Sequence, residues 1–242
     1  AVLTVSGFIL RFLGIIFKVW LASEIGAEGV GLYQIIFSVY TLAATFATSG
    51  ICTAVTRLVT EELALGGRSG ARLILRRCIF ITLIIAAISF CLLFFGADFI
   101  SSYILKDDRA ALSLKILAFS LPFMGICSCI KGYFIARRKA SPSSFSQILE
   151  QIVRIVVIVP LVTRYNSFGL EFSCAAILFG DTVAEAVSCA YVYLRYKFDF
   201  KKIVIAPHTA QKAYRLLPVV SHIALPITSG KYLNSLLRMI EN

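Results

Sequence analysis

Long apolar runs separated by short polar or basic segments dominate the sequence. A helix that crosses a bilayer needs roughly 20 mostly apolar residues, whereas the strands of a membrane barrel alternate polar and apolar positions over about ten. The runs are too long and too uniformly apolar for barrel strands, so the pattern predicts an all-α, polytopic membrane protein. Seven membrane-spanning helices are expected, over Val2–Leu21, Leu32–Val59, Cys78–Phe99, Ala110–Ile135, Phe145–Val162, Leu170–Leu194 and Pro218–Ile240.

The composition agrees with a bilayer as the solvent. Of the 242 residues, 59% are hydrophobic and only 15% are charged, and the mean hydropathy is +0.86. Soluble domains have about 45–50% apolar and 25% charged residues, and a chain with so few polar residues cannot cover a water-soluble surface. An ordinary soluble globular protein is therefore excluded.

The positive charges are distributed asymmetrically between the two sides of the predicted bundle. Alternate connections carry fourteen lysines and arginines on one side and three on the other. By the positive-inside rule the basic side is cytoplasmic, which predicts a cytoplasmic N-terminus in a cell-membrane protein. Much of the net charge of +11 therefore reflects topology, and nucleic acid is not an expected partner. The fourteen are Arg68, Arg72, Arg76, Arg77, Lys131, Arg137, Arg138, Lys139, Arg195, Lys197, Lys201, Lys202, Lys212 and Arg215.

The chain divides into three predicted parts. Residues 1–200 form an N-terminal six-helix transmembrane lobe, and residues 201–217 form a cytoplasmic linker that ends in an amphipathic helix on the membrane surface. Residues 218–242 form the first helix of a further lobe. Because the chain begins without Met inside an apolar run and ends without a polar tail, we expect a fragment of a longer protein.

The motifs of hydrolytic or metal chemistry are absent from the sequence. It has two histidines, His208 and His222, no Cys-x-x-Cys pair, no phosphate-binding loop and no nucleophile elbow. We therefore expect no metal, no cofactor and no enzymatic activity.

Ionisable residues inside the predicted spans are the candidate functional residues, because charges in hydrocarbon are costly and by default line a site or pathway. Arg11 and Arg154 lie near the middle of their spans, and Arg57 lies near a helix end, from which it could also extend to the headgroups. A surplus of such cations would favour an anionic ligand, and guanidinium groups suit phosphate. A pyrophosphate-linked lipid fits this description.

Acidic residues accompany these arginines. Glu150 lies four residues before Arg154 on one helix face, so the two could form a self-contained ion pair. Asp181 and Glu185 are also four residues apart, and two like charges in a low dielectric need a cation, a proton or a basic partner. We expect Glu150, Asp181 and Glu185 to orient the arginines or to carry a coupling ion.

Five segments resemble a known family: Gly26–Gln34, Ser49–Glu61, Lys131–Phe134, Pro142–Arg154 and Leu225–Gly230. They are similar to the stage V sporulation protein B group of polysaccharide-biosynthesis-type membrane proteins, within the multidrug/oligosaccharidyl-lipid/polysaccharide exporter superfamily. The most specific part of the resemblance is the set Gln147, Glu150, Gln151 and Arg154.

The resemblance implies a protein of about fourteen helices in two lobes around a central cavity, of which this chain holds the first lobe. Relatives include lipid II flippases, which carry undecaprenyl-pyrophosphate-linked sugars and in which a first-helix arginine followed by Leu-Gly lines the cavity. Arg11-Phe12-Leu13-Gly14 matches that placement. The resemblance also implies a role in peptidoglycan or spore cortex assembly.

The preferred hypothesis is a flippase-type transporter that moves a lipid-linked anionic saccharide precursor by alternating access. Arg11 and Arg154 would bind the pyrophosphate, and Arg57 would assist if it reaches the cavity. One alternative is a cation-coupled multidrug antiporter, which an acidic cavity would favour. The other is a non-transporting scaffold that recruits cell-wall synthesis proteins, for which the buried charges should all be paired.

Overall fold

The computed structural model describes residues 2–48, 50–64, 68–165 and 169–201, and within these ranges the chain is helical and contains no strand. The all-α prediction is therefore confirmed. The elements are α1 (Val2–Thr48), α2 (Ile51–Ala64), α3 (Arg68–Phe99), a short π-helical turn (Ile100–Leu105), α4 (Ala110–Ala118), α5 (Ser120–Ala136), α6 (Ser141–Tyr165) and α7 (Leu170–Lys201).

Helix α1 consists of two halves that meet at Gly26. The backbone there has φ 70° and ψ 179°, a conformation essentially restricted to glycine. Leu10 and Thr48 line the same cavity, although 38 residues of straight helix would separate them by roughly 57 Å. The chain therefore turns back on itself near Gly26, which lies in the connection expected between the predicted spans Val2–Leu21 and Leu32–Val59.

Two predicted spans contain breaks that hydropathy did not reveal. The predicted span Leu32–Val59 is divided by Gly50, which has φ 71° and separates α1 from α2. The predicted span Ala110–Ile135 is divided at Phe119, between α4 and α5. Pro122 explains this second break, because a proline lacks an N–H and is tolerated in the first turn of a new helix.

Four segments are long and apolar enough to cross a membrane: Gly70–Tyr103, Ala110–Ala136, Ser141–Tyr165 and Leu170–Asp199. They match the third to sixth predicted spans, and the protein is a multi-pass membrane protein. Large apolar side chains such as Phe80, Leu92 and Phe95 are exposed on these helices, as expected for surfaces that face lipid.

Ion pairs mark the two ends of the bundle. At one end Arg109, just before α4, contacts Glu28 near the turn of α1, with 3.0 Å between Nη1 and Oε1. At the other end Asp199 in α7 contacts Arg137 and Lys139, which follow α5. The turn of α1 and the start of α4 therefore lie together at one end, and the ends of α5 and α7 lie together at the other, where Arg72 also contacts Tyr196.

The helices that carry the predicted site pack closely. Helices α6 and α7 make the most extensive contact in the bundle, and a Cβ added at Gly180 would overlap the side chain of Ile158. Small residues allow such close approach between membrane helices. The predicted linker from Lys202 onwards and the seventh span over Pro218–Ile240 lie outside the described residues.

Candidate functional site

Two adjoining cavities lie among α1, α5, α6 and α7. The inner cavity has a volume of about 250 Å³, and its polar lining includes Tyr40, Ser120, Glu150, Arg154, Asp181 and Glu185. The outer cavity has a volume of about 450 Å³, and its polar lining includes Ser128, Lys131, Gln147, Glu150, Gln151, Glu185 and Ser188. Thr48, Met124, Glu150 and Glu185 line both, so the two form one polar path inside an apolar bundle.

Arg154 on α6 forms the centre of the inner cavity. Its Nε lies 2.6 Å from Asp181 Oδ1 on α7, its Nη1 donates to Gln151 Oε1 at 3.0 Å, and its Nη2 lies 3.4 Å from Glu150 Oε1. The Asp181 side chain is only 8% exposed, so its charge depends on this partner. The predicted pair with Glu150 exists, but the shorter contact joins two helices.

Glu185 lies one helical turn beyond Asp181 and has no ion pair within the described part of the chain. Its carboxylate oxygens lie 3.4 and 3.5 Å from the Tyr40 hydroxyl, which is 2.6 Å from Ser120 Oγ. Ser120 donates its own proton to the carbonyl of Leu117. Tyr40 has one hydroxyl proton, which it can donate either to Ser120 or to Glu185. This arrangement suits a carboxyl group at Glu185 that exchanges a proton or a cation.

Lys131 was not predicted as a site residue, because the sequence analysis counted it among the loop cations. The structure places it inside α5, half-buried, on the lining of the outer cavity. The signal was present in the sequence, since Met124, Cys127, Ser128 and Lys131 follow helical spacing on one face. Within the described residues no carboxylate lies within ion-pair distance of Lys131, which instead lies beside the Cys127 thiol.

The two cavities do not carry the expected surplus of positive charge. Two basic side chains, Arg154 and Lys131, face three acidic ones, Glu150, Asp181 and Glu185. The carboxylates that balance Arg154 come from two helices, Glu150 from α6 and Asp181 from α7. The outer cavity, taken alone, has one cation, Lys131, and two carboxylates, Glu150 and Glu185.

The other two predicted arginines lie elsewhere. Arg57 is exposed on α2 and pairs with Glu61, with 3.0 Å between Nε and Oε1. Arg11 is exposed on the first half of α1, one residue after Leu10, which lines the outer cavity. Neither arginine lines either cavity, so their role in substrate binding stays a prediction.

Within the residues that the structure describes, no three His, Cys, Asp or Glu side chains are close enough together to hold a metal ion. The inner cavity has the chemistry of exchangeable ion pairs, and the outer cavity combines amide, hydroxyl and ammonium donors with two carboxylates.

Comparison with known proteins places the chain in a family. The chain is 29% identical over 238 residues to Stage V sporulation protein B of Bacillus subtilis, covering 97% of this chain and 46% of that protein. It is 28% identical over 224 residues to the lipid II flippase MurJ of the same organism, covering 88% of this chain and 41% of that protein. The chain thus spans less than half the length of these relatives. No solved structure matches it significantly. The family model described as "Polysaccharide biosynthesis protein" matches residues 1–240, and the chain belongs to that family.

Proposed function

We propose that this chain forms one lobe of a flippase-type transporter that moves a lipid-linked anionic saccharide precursor across the cell membrane. The family is one of polysaccharide biosynthesis proteins, and one relative is named a lipid II flippase. In the proposed protein the N-terminus is cytoplasmic, residues 1–200 form the lobe, residues 201–217 the linker and residues 218–242 the first helix of a second lobe.

One observation carries the proposal: a polar path with an arginine at its centre lies inside helices that face lipid outside. Arg154 uses three nitrogens on three partners, so its position and orientation are fixed before any ligand arrives. A preorganised guanidinium binds a phosphate through two parallel N–H donors. The path would hold the anionic headgroup while the lipid chain stays in the bilayer.

In this mechanism the phosphate competes with carboxylates for Arg154. When a phosphate oxygen takes the place of Asp181 or Glu150 at the guanidinium, the released carboxylate needs a proton or a cation. Glu185, next along α7, supplies a second group that exchanges such an ion. Binding would then shift the balance between inward-open and outward-open states, because the ligand stabilises one pairing of charges over another.

Arg11 and Arg57 complete the proposed binding set in the protein of full length. Arg11 lies beside the outer cavity on an exposed helix face, where a second lobe would enclose it. Arg57 contributes to binding only if its side chain moves away from Glu61.

The test measures binding and transport of an undecaprenyl-pyrophosphate-linked disaccharide by the full-length protein in proteoliposomes. Arg154→Lys keeps the charge but loses the bidentate geometry, and we expect it to lower affinity by about tenfold. Arg11→Ala should also lower transport. The matched control is Arg164→Lys, at the exposed end of the same helix. Wild-type binding no stronger than that of bulk anionic lipid would refute the proposal.

A cation-coupled antiporter is the second candidate, because three carboxylates against two cations line the path. Such a protein would transport a lipophilic cation such as tetraphenylphosphonium in exchange for protons. It would neither bind nor transport the lipid-linked sugar. The scaffold alternative requires every buried charge to be paired. Lys131 and Glu185 do not meet this requirement, since within the described residues neither lies in an ion pair.

A further inference from the structure

We propose that Glu185, Tyr40 and Ser120 form a directional hydrogen-bond chain that ties the protonation of Glu185 to a hinge, the turn at Phe119 between α4 and α5. The chain crosses the inner cavity and ends at the carbonyl of Leu117, the second-last residue of α4. The inference rests on the proposed function and deepens it, because it names how a proton exchanged at Glu185 would move the wall of the polar path.

The hinge is a one-residue interruption of the helix that carries the chain's last members. The Phe119 amide donates to the carbonyl of Ile116 at 3.2 Å, a three-residue step that tightens the last turn of α4. Pro122 has no amide hydrogen to offer the carbonyl of Ala118, so the α-helical bond between these two residues is missing. Helices bend at such positions, because fewer backbone bonds hold the two halves in line.

In one polarity of the chain, every hydroxyl donates toward α4. Ser120 Oγ donates to the Leu117 carbonyl at 2.8 Å and closes the turn at the hinge. Tyr40 Oη then donates to Ser120 Oγ at 2.6 Å, because the only proton of Ser120 is already used. A protonated Glu185 completes this polarity, since a carboxylic acid can donate its own proton to Tyr40 Oη. The two shortest contacts of the chain are therefore those of the closed hinge.

Ionisation of Glu185 favours the reverse polarity. A carboxylate is a stronger acceptor than a neutral hydroxyl, and the Glu185 oxygens, at 3.4 and 3.5 Å from Tyr40 Oη, need only a small movement to form a short contact. Once Tyr40 donates to Glu185, the proton between Tyr40 and Ser120 must come from Ser120. Ser120 then no longer donates to Leu117, and the hinge loses the hydrogen bond that closes it.

The hinge lies where its movement would change the polar path. Ser120, just after the hinge, lines the inner cavity, and Met124, one turn further along α5, lines both cavities. The Met124 sulfur lies 3.7 Å from Tyr40 Oη, so the chain also contacts the junction of the two cavities. A bend of α5 at the hinge would shift Met124 and change the width of this junction, which is how protonation of Glu185 would act on transport.

Glu185 shares its surroundings with other charged and titratable groups of the described chain. They are Tyr40 from α1, Cys52 from α2, Cys127 and Lys131 from α5, Glu150 and Arg154 from α6, and Asp181 and Cys189 from α7. In the proposed mechanism a phosphate at Arg154 displaces a carboxylate, which changes the electric field at Glu185. Substrate binding and proton exchange would therefore act on the same chain.

Hydrogen–deuterium exchange of the full-length protein in nanodiscs tests the chain, with mass spectrometry of the peptide over residues 114–126. Rates are measured between pH 5 and pH 9, and each is divided by the intrinsic exchange rate at that pH. In wild type we expect the hinge amides to exchange about threefold to tenfold faster when Glu185 is ionised, at the upper end of the range, because one hydrogen bond is lost.

Two variants should hold the hinge in opposite states. Tyr40→Phe leaves Ser120 to donate to Leu117 at every pH, so exchange should stay slow. Ser120→Ala removes that hydrogen bond, so exchange should stay fast at every pH. Glu185→Gln cannot ionise and should resemble Tyr40→Phe. The matched control Tyr193→Phe removes an exposed hydroxyl on α7 and should respond to pH as wild type does.

The inference is wrong if exchange at the hinge of wild type does not change with pH, or if the pH response survives in Tyr40→Phe. Shifts of the same sign in Tyr40→Phe and Ser120→Ala would also overturn it, because the chain would then have no direction. Melting temperatures show which variants are folded, and wild type with Tyr40→Phe decides the test if Ser120→Ala is not.

Transport separates this inference from the proposed function. In proteoliposomes with the same pH on both sides, transport of the undecaprenyl-pyrophosphate-linked disaccharide by wild type and Tyr193→Phe should vary with pH over the range found for exchange. Transport by Tyr40→Phe should lose this dependence, and an unchanged pH profile would overturn the role of the hinge while the flippase proposal stands. If wild type transports no lipid-linked disaccharide, the flippase proposal fails, whatever the hinge does.

Discussion

The inner and outer cavities hold one cation each, and the two cations differ in how closely carboxylates approach them. Arg154 contacts two carboxylates and one amide, and its partner Asp181 is almost fully buried. Lys131 shares its cavity with amides, hydroxyls, a thiol and the carboxylates of Glu150 and Glu185, and within the described residues neither carboxylate lies within ion-pair distance of it.

This difference indicates a difference in role. A buried charge stabilises the fold only as part of its ion pair. When one partner is removed, the other stays buried and nothing compensates the cost of its desolvation. A cation with no carboxylate within ion-pair distance leaves no buried carboxylate uncompensated when it is removed. The two cations therefore make separable predictions for stability.

The largest effect is expected when the Arg154 pair is broken. Arg154→Met leaves Asp181 buried without its partner and should lower the free energy of unfolding by about 3–5 kcal/mol. The double variant Arg154→Met with Asp181→Leu should recover part of this loss, since Asp181 is no longer a buried charge without its partner, while Glu150 and Glu185 remain in the cavity. Unfolding in mixed micelles measures both, with Arg164→Met as the control. A small loss in the single variant would contradict a compensated inner cavity.

The next largest loss in the free energy of unfolding is expected at the contact between α6 and α7, which positions Arg154 and Asp181. Gly180 lies one residue before Asp181, and Gly180→Ala adds a methyl group that would overlap the side chain of Ile158. We expect a loss of about 1–3 kcal/mol from overpacking, together with a weaker Arg154–Asp181 pair. The same measurement of unfolding applies, and Gly14→Ala, where a Cβ meets nothing within 4 Å, is the control.

Lys131→Met should change the free energy of unfolding by less than about 1 kcal/mol, because most substitutions that break no pair and open no cavity have small effects. A small change would separate Lys131 from Arg154, whose removal leaves a carboxylate buried without its partner. A loss as large as that of Arg154→Met would mean that Lys131 also stabilises the fold.

The smallest effect is expected at an exposed ion pair outside the spans. A hydrogen bond from Arg109 holds the pKa of Asp107 below its ordinary value. A lowered folded-state pKa means that the stabilisation is present above the unfolded pKa of about 4 and is lost as the pH falls through the folded value. The small difference in melting temperature between wild type and Asp107→Asn should therefore be present at pH 7 and shrink below pH 4. A constant difference would contradict this origin.

Much of the fold was predictable from the sequence, because it depends on local quantities. Hydropathy over about 20 residues predicted Ala110–Ile135 and Leu170–Leu194 close to the observed spans. The break at Gly50 does not show in the hydropathy, which averages over a window and does not register the φ of one glycine. The pairing of Glu150 with Arg154 was accessible because residues four apart share a helix face.

The rest of the site depended on how the helices pack against one another. The pattern along α7 predicted that Asp181 needs a proton, cation or basic partner, but only the packing of α7 on α6 identifies Arg154. The position of Lys131 near a helix end is compatible with a headgroup contact or with a cavity, and the rotation of α5 within the bundle decides between them. The sequence by itself determined an all-helical membrane bundle with costly buried charges, since apolar length and charge spacing act within one helix. The tertiary structure decided which charges are compensated and which remain available, because compensation requires side chains from different helices to meet within a few ångströms.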